Sequence, residues 1–149
     1  MTSSNAEKLK KSEKLGADWT ILSTKTDVLA EIKKITGGRG ADIVIDHVGK
    51  ETWDTSIKAV RRGGRIVTCG ATSGYQALTD LRHIFYRQVQ VLGSTMGSKS
   101  HLLEVLCFVA QGKLKPVIDQ TLPLKEAARA HTLIEERHQL GKIVLIPEN

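Results

Sequence analysis

Gly40-Ala41-Asp42-Ile43-Val44-Ile45-Asp46-His47-Val48-Gly49 (residues 40–49) is the stretch that decides the fold. Its centre is a β-branched run without polar alternation, which predicts a strand covered on both faces, as in a parallel sheet. Parallel strands need a crossover, usually a helix, on each side. The flanks supply it. Upstream, Asp27 stands as an N-cap before Val28, Ile32 and Ile35, which recur at helical spacing. Downstream, residues 52–61 read as a helix closed by Gly63-Gly64.

The alternation continues outward. Residues 6–15 predict a helix with Leu9 and Leu15 among charges, stopped by Gly16, and Trp19-Thr20-Ile21-Leu22 a short strand. Arg65-Ile66-Val67-Thr68-Cys69-Gly70 and Val89-Gln90-Val91-Leu92-Gly93 predict two more strands, each ending in glycine, around a short helix over 80–87. Strand and helix alternating through glycine joints is the doubly wound α/β pattern, whose ligands bind outside the carboxyl ends of the strands. After Gly97 the texture changes: an apolar helix over 102–111, a break at Lys115-Pro116-Val117-Ile118-Asp119, a helix from Pro123 to about Glu136, and a strand over 141–146.

Composition narrows the function classes. The chain has 149 residues, 22 Lys plus Arg against 16 Asp plus Glu, a net charge of +6 and a pI of about 9.4. A basic pI permits nucleic-acid binding, but the basic residues are spread along the chain without interleaved aromatics, so that reading is disfavoured. No apolar run reaches the roughly 20 residues of a membrane span, and the N-terminus has no signal-type apolar stretch. A cytoplasmic protein is expected. Cys69 and Cys107 form no CxxC pair, and His83, His101, His131 and His138 show no ligand spacing, so no metal site is expected.

Five stretches together resemble the medium-chain dehydrogenase/reductase family, nearest its quinone-oxidoreductase and zinc-type alcohol dehydrogenase branches. They are Glu13-Lys14-Leu15-Gly16-Ala17-Asp18, residues 36–46, Gly64-Arg65-Ile66-Val67-Thr68-Cys69-Gly70, Leu92-Gly93-Ser94-Thr95-Met96-Gly97 and Gly141-Lys142-Ile143-Val144-Leu145. The resemblance implies an NADP(H)-dependent oxidoreductase acting on an alcohol, carbonyl or quinone-like substrate, with the chain as its C-terminal part. The implied fold is α/β: a truncated Rossmann-like doubly wound parallel sheet lacking its first strand and most of the second, plus a C-terminal helix-strand tail. The implied division is 1–98 for the partial cofactor domain and 99–149 for a tail that packs on a catalytic domain. Neither Gly37-Gly38-Arg39-Gly40 nor Gly70-Ala71-Thr72-Ser73-Gly74 has GxGxxG spacing, so the pyrophosphate turn is not in this sequence. No catalytic residue and no zinc are expected in it, and the chain alone is expected to be inactive. A Tyr-x-x-x-Lys pair of the short-chain reductase kind is not present either, since Gln90 and Thr79 stand four residues after Tyr86 and Tyr75.

The resemblance also implies site residues, each with a plainer rival. Ser3, Ser4 and Lys8 fall where the family meets the adenine ribose; none is acidic, which points to the 2′-phosphate of NADP before NAD. Their rival is a helix cap and a solvated lysine. His47 and Val48 follow one strand and would face the cofactor, against a packed or solvated histidine. Cys69, Gly70, Ala71 and Thr72 would line the adenosine and nicotinamide side, against a tight turn. Gly93, Ser94, Thr95 and Met96 would lie beside the nicotinamide, against Met96 as core filler. Ser23 stands where the family often stacks a tyrosine on the adenine. Expected partners are the nicotinamide dinucleotide and either a homodimer through the edge strand Val89-Gln90-Val91-Leu92-Gly93 or a complementary N-terminal half. Without the intervening strands, Trp19-Thr20-Ile21-Leu22 is expected to shift beside residues 41–46, to attach loosely, or to leave a gap for a partner. The rival class is a non-catalytic interaction module.

Overall fold

The computed structural model describes residues 1–147. Residues 1–96 form one compact unit and the described residues from Gly97 onward a second. The first unit runs β1 (Thr2–Ser3), α1 (Ala6–Lys14), β2 (Ile21–Leu22), α2 (Val28–Ile35), β3 (Ala41–Asp46), α3 (Trp53–Ala59), β4 (Val60–Thr68), α4 (Arg82–Phe85) and β5 (Gln90–Gly93). All its strand pairs are parallel, in two separate sheets, β1-β2 and β3-β4-β5. Caps fix the helix starts. Asn5 accepts from the amides of Glu7 and Lys8, and Asp27 from those of Leu29 and Ala30. Gly16, at φ +103°, ends the turn after α1 in a conformation that side chains resist.

The core of this unit lies on one face of the three-stranded sheet. Ile57 of α3, Val60 and Ile66 of β4, and Val89 are buried together, with Val44, Trp53 and Ile84 packed around them. Burying a side chain such as Ile66, at 0% exposure, is worth roughly 1.5–3 kcal/mol. The other face is bare: Ile43 is 56% exposed, Ile45 70% and Leu92 44%. The expectation of a strand covered on both faces therefore fails: β3 is covered only on the face of Val44 and Asp46. The helices contributed by residues 47–88 lie on that side, and no described element covers Ile43 and Ile45.

Ile21–Leu22 does not shift beside β3. It pairs with Thr2–Ser3, and the described residues place no strand between that pair and β3. The sequence places a helix end at Gly63-Gly64, but α3 stops at Ala59 because Val60 already pairs with Ala41. The register then slips before Ile43 meets Arg65. Gly64 sits in that irregularity, where a Cβ would stand 2.9 Å from the Asp42 carbonyl oxygen.

The second unit holds α5 (Lys99–Ala110), β6 (Ile118–Pro123), a 3-10 turn (Leu124–Glu126), α6 (Ala127–Glu135) and β7 (Lys142–Ile146), with β6 parallel to β7. β6 replaces the break expected near Asp119. Pro123 closes that strand rather than opening a helix, and α6 begins only at Ala127. No helix of the described residues is long and apolar enough to cross a membrane.

Candidate functional site

The register places Asp46, Thr68 and Gly93 side by side at the carboxyl ends of β3, β4 and β5. Two further backbone bonds carry the ladder past the strand ends, Cys69 N–H to the Asp46 carbonyl at 3.2 Å and Ser94 N–H to that of Thr68 at 2.9 Å. His47 and Val48, Cys69 to Thr72, and Gly93 to Met96 thus leave the same edge of one sheet.

Asp46 holds the first of these loops. It is 4% exposed, and its Oδ1 accepts from the amides of Val48 at 2.9 Å and Gly49 at 3.0 Å. The Thr52 hydroxyl bridges both oxygens at 3.0 and 2.9 Å, and Ser56 Oγ donates to Oδ2 at 2.6 Å. Burial pushes the carboxyl up, but the bonds from Ser56, Gly49, Thr52 and Val48 outweigh it and hold Asp46 below the usual carboxylate range. The acid is thus a fixed, ionised anchor for the turn carrying His47.

The second loop is fastened to the first. Ser73 donates to the Val48 carbonyl from both its amide and its hydroxyl, at 2.8 Å each, and its Oγ accepts from Glu51 N–H at 3.0 Å. Lys50 N–H reaches the Gly74 carbonyl at 3.1 Å. Contact is so close that a Cβ on Gly49, whose φ is +90°, would stand 2.7 Å from Gly74 O. A Cβ on Gly70 would stand 2.9 Å from the His47 carbonyl oxygen.

On this frame the predicted residues are presented outward. His47, Cys69, Ala71, Thr72 and all of Gly93 to Met96 are exposed, while Val48 and Gly70 are half-buried. Met96 is fully exposed with φ +48°, so it is not core filler. The tight turn weighed for residues 69–72 is present two residues on, from Ala71 to Gly74, and leaves Ala71 and Thr72 exposed. No atom lies within 4 Å of the position a Gly93 Cβ would take. Ser3 lies on β1, its hydroxyl accepting from Asn5 N–H at 3.1 Å. The helix cap beside it is Asn5, not Ser3 or Ser4. Ser4 is exposed and Lys8 half-buried, and no hydrogen bond links these three to the other loops.

Asp46, Thr52, Ser56 and Ser73 escape a reading by motif. Their signal was the spacing Asp-x-x-Gly-x-x-Thr-x-x-x-Ser, which sets two hydroxyls one helical turn apart facing back to the strand end. The edge is an open shelf. Two concavities, about 380 and 260 Å³, lie at the opposite, amino end of the sheet. Among the described residues no group of three His, Cys, Asp or Glu is placed to hold a metal ion.

Residues 1–111 match the zinc-binding dehydrogenase family. Over 160 residues the chain is 32% identical to quinone oxidoreductase 1 of Escherichia coli (strain K12), covering 98% of this chain and 48% of that protein. Among solved structures, an NAD-dependent alcohol dehydrogenase matches with TM-score 0.87 and 49% identity, over 97% of this chain and 42% of that one. A crotonyl-CoA carboxylase/reductase solved in complex with NADP matches with TM-score 0.89 and 25% identity, over the same shares, 97% and 42%. The chain spans less than half the length of the curated relatives it matches.

Proposed function

The chain belongs to the medium-chain dehydrogenase/reductase family, and from that premise we propose that it forms one wall of the cofactor site of an NADP(H)-dependent oxidoreductase. The substrate class is an alcohol, a carbonyl or a quinone-like acceptor. The observation that carries this reading is the convergence of three outward-facing loops on one register line, Asp46–Thr68–Gly93. Gly93, Ser94, Thr95 and Met96 would lie along the nicotinamide, with exposed backbone and an apolar side chain. Cys69 to Thr72, His47 and Val48 would flank the adenosine side. The residues fit such a group because the shelf is open, small-residued and held from behind by Asp46 and Ser73. When bound, the nicotinamide supplies hydride transfer.

Ser3, Ser4 and Lys8 are the residues we assign to the 2′-phosphate, because a lysine and two hydroxyls suit a phosphate and none of the three is an acid of the kind that favours NAD. NADP before NAD follows. One structural relative is solved in complex with NADP and another is an NAD-dependent alcohol dehydrogenase, so the choice rests on these three residues. The pyrophosphate cradle and the proton-transfer groups would come from outside this sequence, so the chain alone would bind weakly and not turn over. In the same reading the protein is cytoplasmic, residues 1–98 belong to the cofactor domain, and residues 99–149, of which 148 and 149 lie outside the described residues, belong to a tail that packs on a catalytic domain.

A second reading, an interaction module completing a split enzyme, is favoured by Ile43 and Ile45 standing bare beside an unpaired strand edge. A complementary N-terminal half is the occupant that reading names. The other edge of the sheet, β5, is where a homodimer would pair. The test is a titration of NADPH and NADH against the emission of Trp19 and Trp53. Saturation by NADPH ahead of NADH supports the assignment. No change at millimolar cofactor would sink it.

A further inference from the structure

The basic charge of the chain is not used by the carboxyl-end shelf. Residues 1–96 hold 15 of the 22 Lys and Arg but 10 of the 16 Asp and Glu. Part of that excess gathers in the 380 Å³ concavity under α2, α3 and α4, at the amino ends of β3 and β4. Lys33, Arg39, Lys58, His83 and Arg87 line it, and no lining residue is acidic.

Three of these cations are fixed by neighbours. Arg39 is bidentate to Asp42 at 2.8 and 2.6 Å, Lys58 pairs with Asp54 at 2.7 Å, and Arg87 donates to the carbonyls of Ile57, at 3.0 Å, and Val60. Arg87 therefore stands still, with guanidinium N–H groups left over. The Lys33 ammonium and the His83 ring make no hydrogen bond or ion pair among the described residues, although the Lys33 carbonyl accepts from Gly38 N–H at 2.7 Å. The floor is closely packed backbone, since a Cβ on Gly40 would stand 2.7 Å from the Ala59 carbonyl oxygen. Helix C-termini attract cations, and that explains Lys33 on α2 and Lys58 on α3 one at a time. Asp42 and Asp54 neutralise Arg39 and Lys58, and Asp80 acts on His83, but Lys33 and Arg87 meet in a hollow whose lining holds no acid and have no carboxylate of their own among the described residues. Like charges held together repel unless a counter-charge joins them.

We propose that this hollow is a second ligand site, for a compact polyphosphate such as a pyrophosphate group, separate from the nicotinamide shelf. Its volume falls in the usual range for small-ligand pockets, about 300–1,000 Å³. The length of β3 puts it about 15–20 Å from His47. Lys33 closes the hollow over the anion, while Arg39 and Arg87 present fixed donors. Because α2, α3 and α4 all contribute, occupancy ties α2 to the three-stranded sheet.

The test titrates sodium pyrophosphate into the full chain by calorimetry, with amide shift mapping in parallel. Single-site binding is expected, with shifts at Lys33, Gly38 to Gly40 and Arg87 and none at Gly93 to Met96. Lys33→Glu should weaken it by about tenfold or more, and Lys10→Glu, the same charge change on exposed α1, by less than about twofold. Competition by ADP would identify the source as a nucleotide, and its failure a free anion. Equal losses in the two variants, no saturation, or preferential retention of duplex DNA that pyrophosphate does not displace would each overturn the proposal. NADPH binding at the shelf can fail without touching this result.

Discussion

Asp46→Ala should unfold the shelf from behind, and Asp46→Asn should not. Alanine removes the acceptor of two backbone amides and of the Thr52 and Ser56 hydroxyls, all at 2.6–3.0 Å. Thr52 already lies 3.3 Å from the Gly49 carbonyl and can turn to it. The amides of Val48 and Gly49 and the buried Ser56 have no such substitute. At about 1–3 kcal/mol for each buried group left unpaired, discounted for partial exposure, the loss comes to about 3–4 kcal/mol. Asparagine keeps an oxygen for the two amides and turns its NH₂ to hydroxyls that can accept, so the cost is about 1 kcal/mol. Urea unfolding at pH 7, followed by circular dichroism and tryptophan emission, measures both. Acid sharpens the comparison. The folded chain holds the Asp46 carboxyl below its ordinary value, so the unfolded chain takes up the proton more readily. Its stabilisation is complete above the ordinary carboxylate value near 4 and is lost as pH falls through the lower folded value. Wild type and Asp46→Asn should therefore converge in acid. Equal losses in the alanine and asparagine variants, or a wild-type advantage over Asp46→Asn unchanged down to pH 3, would refute the anchor role.

Gly49→Ala forces a Cβ to 2.7 Å from Gly74 O at φ +90° and should cost at least about 2 kcal/mol by thermal unfolding. Gly93→Ala meets open space, so stability should stay within about 0.5 kcal/mol while NADPH titration shows weaker binding. Ile43→Ser combined with Ile45→Ser should cost less than about 1 kcal/mol in urea, since both side chains are mostly exposed, and should leave any self-association through β5 unchanged in analytical ultracentrifugation.

What the sequence could tell followed the length and regularity of each signal. The run around Val44 announced β3, and the Asp27 cap with its periodic Ile32 and Ile35 announced α2, because each is a local pattern several residues long. Thr2–Ser3 is too short to carry a period, and it is defined only by its ladder to Ile21–Leu22. β6 was hidden because Leu122 alone is buried in it, so Ile118 and Asp119 alternate with nothing. The helix end at Ala59 was misplaced because pairing of Val60 with Ala41 outweighs the glycine pair that follows. The loops of the site were legible as strand ends. The anchor behind them was not, since Asp46 is joined to Thr52 and Ser56 only when α3 folds back over β3.

The central claim is that the carboxyl ends of β3, β4 and β5 receive a nicotinamide dinucleotide. Amide shift mapping of the full chain with NADPH tests it most directly. The account predicts the largest shifts at His47 to Gly49, Cys69 to Thr72 and Gly93 to Met96, with smaller ones at Ser3, Ser4 and Lys8. Shifts confined to Lys33, Gly38 to Gly40 and Arg87, or none anywhere, would contradict it.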